Sequence, residues 1–497
     1  MMWVPWTLQG FLKFMVGAIR VKNSEGLREA SELMQRDGLP GPVIKNFERL
    51  FECVLRGETG IITEDEIEPV SEVETLENLV ASGAMAQEGQ KLLDKLVVVR
   101  LNGGLGTTMG LEKAKSLLRV KGEHSFNDII ALQLRELGKI LGVSIPLIHM
   151  TSFSTDDDVQ AVMQRYPDLS PEHLPSTFQQ HRHPKIYADS MTPAQEALED
   201  FNWNPPGHGD IYASLIATGL ADKLLDMGKR YLFVANADNL GATVEPAILG
   251  YLATTGAPFL METAERTKAD AKGGHLARRR STGRLLLRES SQAPTTSGGE
   301  IIPEFQDVSR YRQFNTNNIW LDLEAVVKVA RTHDGTVPLP LISNRKTVNP
   351  RDKGSRKVIQ IETAMGAAIE VFEGSRALQV PRSRFAPVKS NNDLLVVRSD
   401  VYELQTDFTM KISSARKLPG LPLVSLDTAH YALIKDFERR IPVVPSLVNA
   451  ESLTVVGDVA FSHPVVIAGK VSIKTSTADP REIPADIGRI ESRDLAL

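Results

Sequence analysis

The segment LNGGLGTTMG, residues 101–110, with Lys115 and Ser116 close behind it, carries the strongest chemical signal in the chain. Gly103, Gly104 and Gly106 let backbone N–H groups face an anion with no Cβ in the way, a helix starting behind them adds the positive end of its dipole, and Lys115 adds a full charge. That is phosphate-binding equipment. The register of GxGxxG fails and GxxxxGK[ST] is absent, so neither standard nucleotide loop applies, and a purely structural glycine turn is an equal alternative at this point. In VANADNLGATVE, residues 234–245, Asp238 is a hard oxygen ligand suited to Mg²⁺ shared with phosphate, and Asn236 can meet a hydroxyl. Asp238 capping the turn before Leu240 is the plainer reading. His208, in PPGHGD between Gly207 and Gly209, has a backbone adapted to a close neighbour and a ring able to donate to a phosphate or a sugar hydroxyl. In FNTNNIW, residues 314–320, strand alternation puts Asn315 and Asn317 on one face, where two carboxamides supply donors and acceptors together. VPRSRFAPVKS, residues 380–390, gathers Arg382, Arg384 and Lys389 between prolines, a rigid basic segment able to close over phosphates.

These residues need strand ends and turns to present them. KLVVVRL (95–101), IPLIHM (145–150), RYLFVANAD (230–238) and APFLMET (257–263) read as buried strands, with helix-like stretches such as LQLRELGKILG in between. This is the rhythm of a mostly parallel α/β sheet, whose ligands sit at the carboxyl ends of its strands. Residues 25 to 95 read as a helical layer, with apolar residues at three- and four-residue spacing in NFERLFECVLRG. Past residue 400, Phe461, Ile467 and Ile473 recur every six residues, as do Val459, Val465 and Val471. A six-residue period suggests the coils of a β-helix, with a small ordinary sheet as the alternative.

Composition narrows the function classes. The 497 residues carry 57 Lys and Arg against 62 Asp and Glu, a formal charge of −5, which leaves no polycationic footprint for nucleic acid. Hydrophobic residues make up 42% and charged residues 24%, so a large core is expected and disorder is not. The single cysteine, Cys53, excludes an intrachain disulfide and points to a reducing, cytoplasmic compartment. The apolar first twenty residues lack positive charge ahead of the apolar run, and Pro5 and Lys13 interrupt it, against a signal peptide; a peripheral amphipathic helix is the alternative. No segment offers ~20 uninterrupted apolar residues for a membrane span.

Together the motifs resemble the UTP–glucose-1-phosphate uridylyltransferase family, or UDP-glucose pyrophosphorylases, of the eukaryotic type. The resemblance runs over roughly residues 25–475 and rests on LNGGLGTTMG with Lys115-Ser116, IPLIHMTSFST, FQQHRHPK, PPGHGD, ANADNLGA, ERTKADAKGGHLAR, RESSQ, FNTNNIW, QIETAMGAAIEVF, VPRSRFAPVKS and LTVVGDVAF, in family order. It implies an α/β fold with an N-terminal helical region (1–94), a Rossmann-like, glycosyltransferase-A type nucleotidyltransferase domain (95–405) and a C-terminal left-handed β-helix (406–497). It implies Mg²⁺-dependent, reversible joining of UTP and glucose 1-phosphate into UDP-glucose and pyrophosphate. By resemblance, Leu101, Gly103, Gly104, Met150, Gln180 and Gly209 frame the uridine, with Gln180 reading the uracil edge. His208 and Asn236 meet phosphate and ribose or sugar, Glu289, Asn315 and Asn317 the glucose hydroxyls, Lys115 and Lys389 the phosphates, and Asp238 the metal.

The chain departs from the family pattern at Ala114, where Pro is usual, at Thr151, where Asn is usual, and at Gln179 and His181, which flank Gln180 in place of Asn and Ser. These departures touch base selectivity more than activity. A broader UDP-sugar or UDP-N-acetylhexosamine pyrophosphorylase would share the fold, and a non-catalytic UDP-sugar sensor would share the pocket; retention of both lysines and Asp238 argues against the sensor. The resemblance also implies a C-terminal domain that makes homo-oligomer contacts in some family members.

Overall fold

The computed structural model describes residues 25–477 and 479–497. The apolar stretch of residues 1–20 lies outside them. The described residues fall into two compact units, each assembled from three separate pieces of chain. The first takes its described residues from 25–75, Gln180–Tyr231 and Leu252–Gln379, the second from Leu76–Gln179, Leu232–Tyr251 and Val380–Leu497.

In the first unit, helices over 25–36 and Gly41–Leu55 bury one face each. The second of them buries Val43, Ile44, Phe47, Leu50, Phe51 and Val54, alternate three- and four-residue steps that make a single stripe. That stripe packs against Ile186, Trp203, Ala213, Ile359 and Ile361. The helical layer expected to continue to residue 95 is interrupted by two short strands, Ile67–Pro69 and Glu74–Thr75, which join the sheet of this unit. That sheet is mixed. Phe259–Glu265 lies parallel to Arg376–Gln379 and antiparallel to Gln313–Asp322, and His275–Arg279 forms a hairpin with Leu285–Arg288. A smaller antiparallel sheet combines Ile342–Thr347, Lys357–Glu362 and Ile186–Tyr187.

The second unit holds the strands Tyr231–Asn236, Leu96–Leu101, Leu147–Thr151 and Thr177–Gln179, side by side in that order. The last three pair in parallel, which demands crossovers, and the helices Phe126–Leu141 and Asp156–Met163 supply them. Their near-continuous apolar runs follow from burial on both faces; Leu96, Val97, Val98 and Val99 are wholly inaccessible. Ser125 and Asp128 close a capping box on the first helix, and Gly142 ends it at φ +67°. One expectation is corrected here: no helix starts directly behind the glycine turn. Short 3-10 turns at Thr107–Met109 and Lys115–Leu117 and a small hairpin come first, and the first helix begins only at Phe126. The turn therefore presents backbone N–H groups without a long helix dipole behind it.

The C-terminal part of the second unit is a stack of parallel strands, Leu423–Leu426, Ser446–Val456, Val466–Lys474, Arg489–Glu491 and Asp494–Ala496. Leu453 lies opposite Val471, three six-residue periods later in the chain. Val459, Phe461, Val465, Ile467, Val471 and Ile473 are all buried, so the six-residue recurrence marks the positions that turn inward. No helix among the described residues is long and apolar enough to cross a membrane.

Candidate functional site

The sequence-predicted residues gather into two clusters, one in each unit. The cluster in the second unit grows from the carboxyl ends of neighbouring strands. Asn102 N donates to Met150 O at 2.7 Å and Ala237 N to Leu101 O at 3.1 Å, so Leu101, Met150 and the Asn236–Asp238 turn are held together by backbone. The glycine turn is pinned from below: Ser152 Oγ donates to Gly103 O at 2.9 Å and Thr155 Oγ1 to Asn102 O at 2.8 Å. Ser152 and Thr155 are functional supports that motif reading passed over; a hydroxyl three residues from another, just after a buried strand, was the available signal. A Cβ on Gly104 would meet nothing within 4 Å, so its backbone stands open to a ligand. Gly106 serves differently, at φ +68° and against the stem of Lys115, where a Cβ would come within 3.3 Å of Lys115 Cγ.

Lys115 Nζ donates to Asp238 Oδ2 at 2.7 Å and also to Val388 O. Both side chains of the pair are largely but not wholly buried, 16% and 22% exposed, so the ion pair remains reachable from solvent. Asp238 thus turns its carboxylate to the lysine, and the turn-capping role does not describe it. Val388 N donates to Asp238 O at 3.3 Å, which lays the 380–390 segment along this turn and brings the exposed Lys389, the next residue, beside the pair. The same segment is anchored by Asn239, whose Nδ2 donates to Arg384 O and whose Oδ1 accepts from Ala386 N, each at 3.0 Å. Arg384, expected to close over phosphates, is buried, and its guanidinium donates to Thr243 O at 2.9 Å. It braces the loop; Arg382 and Lys389 are the cations the loop leaves exposed, Arg382 with its guanidinium over the Phe385 ring.

Among the described residues no three His, Cys, Asp or Glu side chains gather as a metal cage. A single hard carboxylate such as Asp238 suits an ion that takes most of its ligands from phosphate and water, which is the habit of Mg²⁺.

The cluster in the first unit is built around an uncharged imidazole and two carboxamides, with the Glu289 carboxylate beside them. His208 opens a 3-10 turn, His208–Asp210, and its Nδ1 accepts from Met365 N at 3.0 Å. Burial lowers the ring to a pKa of about 4, so it is uncharged at neutral pH. The flanking glycines answer to Thr363: a Cβ on Gly207 would lie 2.3 Å from Thr363 O, and one on Gly209 2.3 Å from Thr363 Oγ1. The close neighbour expected of this turn is therefore the chain itself.

Asn315 and Asn317 do come together, though alternation is not the cause. The pairing of Phe259–Glu265 with Gln313–Asp322 slips between Met261 and Thr263, and Asn317 sits at φ +61°, the left-handed region that asparagine tolerates best after glycine. In that bulge Asn315 Nδ2 donates to Asn317 Oδ1 and Asn317 N to Asn315 Oδ1, each at 3.0 Å. Asn315 N donates to Gly274 O at 3.1 Å, and a Cβ on Gly274 would lie 2.6 Å from Glu289 Oε2, so Glu289 approaches the same place. A Cβ on Gly366, next to Met365, would lie 3.5 Å from Asn315 Nδ2. His208, Asn315, Asn317 and Glu289 thus form one chain of neighbours. Gln180 is tied to it through His181, whose N donates to Asp210 Oδ2 at 2.7 Å and whose Nδ1 lies 3.0 Å from the same oxygen.

The departures from the family pattern all have local partners. Ala114 N donates to Asp158 Oδ2 at 3.0 Å, and Thr151 Oγ1 and Gln179 Nε2 converge on Asp156 at 2.6 and 2.9 Å. Burial alone would raise the Asp156 carboxyl; the hydrogen bonds outweigh it and hold the group below the usual carboxylate range.

A charged cluster at strand ends and a cluster of carboxamides with a neutral imidazole are the parts needed by an enzyme that handles a phosphorylated nucleotide and a polyhydroxylated partner. Comparison with known proteins gives this class its particulars. The sequence profile described as UTP–glucose-1-phosphate uridylyltransferase matches residues 44–468. An enzyme of that name from Hordeum vulgare is 39% identical over 406 residues, 81% of this chain and 82% of its own. Among solved structures, a UDP-glucose phosphorylase from Trypanosoma brucei superposes with a TM-score of 0.85 at 39% identity, over 95% of this chain and 100% of the other. A mutant UDP-glucose pyrophosphorylase from Leishmania major in complex with UDP-glucose superposes with a TM-score of 0.86 at 37% identity, over 95% and 99% of the two chains. The chain belongs to the UTP–glucose-1-phosphate uridylyltransferase family.

Proposed function

We propose that Lys115, Lys389 and Asp238 manage the phosphates, and that His208, Glu289, Asn315 and Asn317 hold the sugar phosphate, in the reaction of this family. The chain is a nucleotidyltransferase that transfers the uridylyl group of UTP to glucose 1-phosphate, giving UDP-glucose and pyrophosphate. The observation that carries the assignment of roles is the Lys115–Asp238 pair with Lys389 beside it.

In this reading a phosphate oxygen of glucose 1-phosphate attacks the α-phosphorus of UTP in line and pyrophosphate leaves. A phosphate monoester is already an anionic nucleophile at neutral pH, so neither a protein nucleophile nor a strong general base is required. The work of the chain is to bring two polyanions together and to oppose the charge that develops. Lys115 and Lys389 supply fixed positive charge, and the open backbone at Gly104 supplies N–H donors. Leu101, Gly103, Gly104, Met150, Gln180 and Gly209 frame the uridine, with Gln180 on the uracil edge, and Asn236 meets ribose or phosphate. Asp238 would hold Mg²⁺, which would add positive charge opposite the triphosphate. The paired carboxamides of Asn315 and Asn317 offer donors and acceptors to sugar hydroxyls, with the Glu289 carboxylate as a further acceptor.

By the same reading residues 1–94 are an N-terminal region, mostly helical from residue 25 apart from the two short strands, 95–405 a Rossmann-like catalytic domain, and 406–497 a left-handed β-helix whose parallel strands leave edges for a homo-oligomer contact. The single cysteine suits a reducing compartment such as the cytoplasm. Pyrophosphate release with UTP and glucose 1-phosphate, galactose 1-phosphate or N-acetylglucosamine 1-phosphate, with and without Mg²⁺, tests the proposal. Turnover confined to glucose 1-phosphate and dependent on Mg²⁺ is expected. Equal turnover of all three sugars would favour a broad UDP-sugar pyrophosphorylase, and UDP-glucose binding with no turnover in either direction a sensor.

A further inference from the structure

His208 has one ring nitrogen committed before any ligand arrives. Its Nδ1 accepts from Met365 N, and a ring nitrogen that accepts carries no proton, so the neutral imidazole bears its proton on Nε2. Met365 is itself held from the other side. The hydroxyl of Tyr212, in the helix Ile211–Ala217 that follows the histidine turn, donates to Met365 O at 2.9 Å. Tyr212 is 1% exposed, so that hydroxyl is held without help from solvent. The turn Met365–Ala367 has no slack on its remaining side, because a Cβ on Gly366 would lie 2.7 Å from Leu287 Cδ2 and 3.1 Å from Met261 Cε. Behind the histidine, Gly209 N donates to Thr363 O at 3.0 Å and Thr363 N to Pro206 O at 2.9 Å. The two turns are therefore laced together on both sides of the imidazole.

We propose that Tyr212 is a positioning residue: through the amide and carbonyl of Met365 it fixes His208 as an Nε2–H donor, so that His208 offers substrate oxygen a neutral hydrogen bond and moves no proton. This rests on the reading of His208 as a substrate contact. Burial supports it from a second direction, since a ring lowered to about 4 stays uncharged at the pH where the enzyme must bind anions. Asp210, two residues along the chain from His208, is engaged by His181 and by Ser214 Oγ at 2.9 Å. A neutral donor with a fixed tautomer needs no reorganisation when negative charge builds on the oxygen it faces.

The test uses the full chain labelled with ¹⁵N-histidine, with His208 assigned by its loss in His208→Gln. The free wild-type enzyme is expected to show the His208 proton on Nε2 alone. In Tyr212→Phe the two ring nitrogen resonances should move toward each other as the tautomers mix, and kcat should fall about tenfold with a smaller change in KM. His208→Gln, whose amide N–H reaches the Nε2 position, should retain at least about tenfold more activity than His208→Leu. A Tyr212→Phe enzyme with its tautomer intact overturns the relay. Mixed tautomers with wild-type turnover overturn instead the assignment of His208 to substrate, and the two failures are separable because the spectrum is recorded without substrate. A glutamine variant no better than leucine refutes the donor role without reference to Tyr212.

Discussion

The two clusters are built by different means. In the second unit, Lys115 and Asp238 meet as full charges where strand ends and a glycine turn converge, and a returning loop lays the chain at Lys389 alongside them. In the first unit, His208, Asn315 and Asn317 meet through a bulge and two laced turns; His208 is uncharged and the two asparagines are amides. On the roles proposed above, the difference matches two kinds of cargo. Polyphosphate is recognised by charge and tolerates imprecise geometry, whereas hydroxyls are recognised by donor and acceptor placement and do not.

Removing charge from the second unit should therefore hurt most. Lys389→Ala is expected to lower kcat by about 10²–10³-fold, because the missing ammonium opposed charge that develops during transfer. An unaltered kcat in steady-state kinetics would erase the distinction between the clusters. Asn315→Ala should raise the KM for glucose 1-phosphate by roughly ten- to a hundredfold, the cost of unpairing a polar site, while the KM for UTP holds. An equal rise for both substrates would mean that the carboxamides are not specific to the sugar. Gln180→Ala should raise the KM for UTP about tenfold at nearly constant kcat and relax discrimination against other nucleotides, read from pyrophosphate release with each.

The smallest effect sharpens the comparison from beneath the glycine turn. His149, on the strand Leu147–Thr151, is wholly buried and lies 3.4 Å from Asn102 Nδ2. Burial first, and the nearby Arg100 charge second, lower its pKa to about 3. The unfolded chain takes up this proton at a higher pH than the folded one, so stability falls as pH drops below the unfolded value of about 6.5 and stops falling near 3. Between pH 6.5 and 5.5 this group contributes a loss of about 1 kcal/mol, which His149→Gln should lack in urea unfolding at the two pH values. An equal loss in the variant would show that the loss comes from other groups.

The charged cluster was the more legible of the two from sequence. The strand at Leu96–Leu101 and the one ending at Asn236 announce themselves as apolar runs, and the chemistry sits where such strands end. The six-residue recurrence was legible too, because every second or third position of a stacked coil must face inward. Contacts between distant pieces of chain left no local trace. Nothing around Gly207 or Gly209 names Thr363 as the neighbour that excludes a Cβ, and nothing around Arg384 tells that Thr243 consumes its guanidinium. Asn317 misleads in a further way, since period-two reasoning assumes an unbroken strand and its left-handed backbone breaks it. The glycine turn suggested a helix behind it because that arrangement is common, yet a hairpin intervenes.

The ion pair between Lys115 and Asp238 changes how affinity should be understood. The two groups that a magnesium nucleotide would claim already satisfy one another. On the roles proposed above, docking would be an exchange of counterions: the ammonium would leave the carboxylate for a phosphate, and the carboxylate would leave the ammonium for a metal. Only the difference between the old partnerships and the new ones would then appear in the dissociation constant.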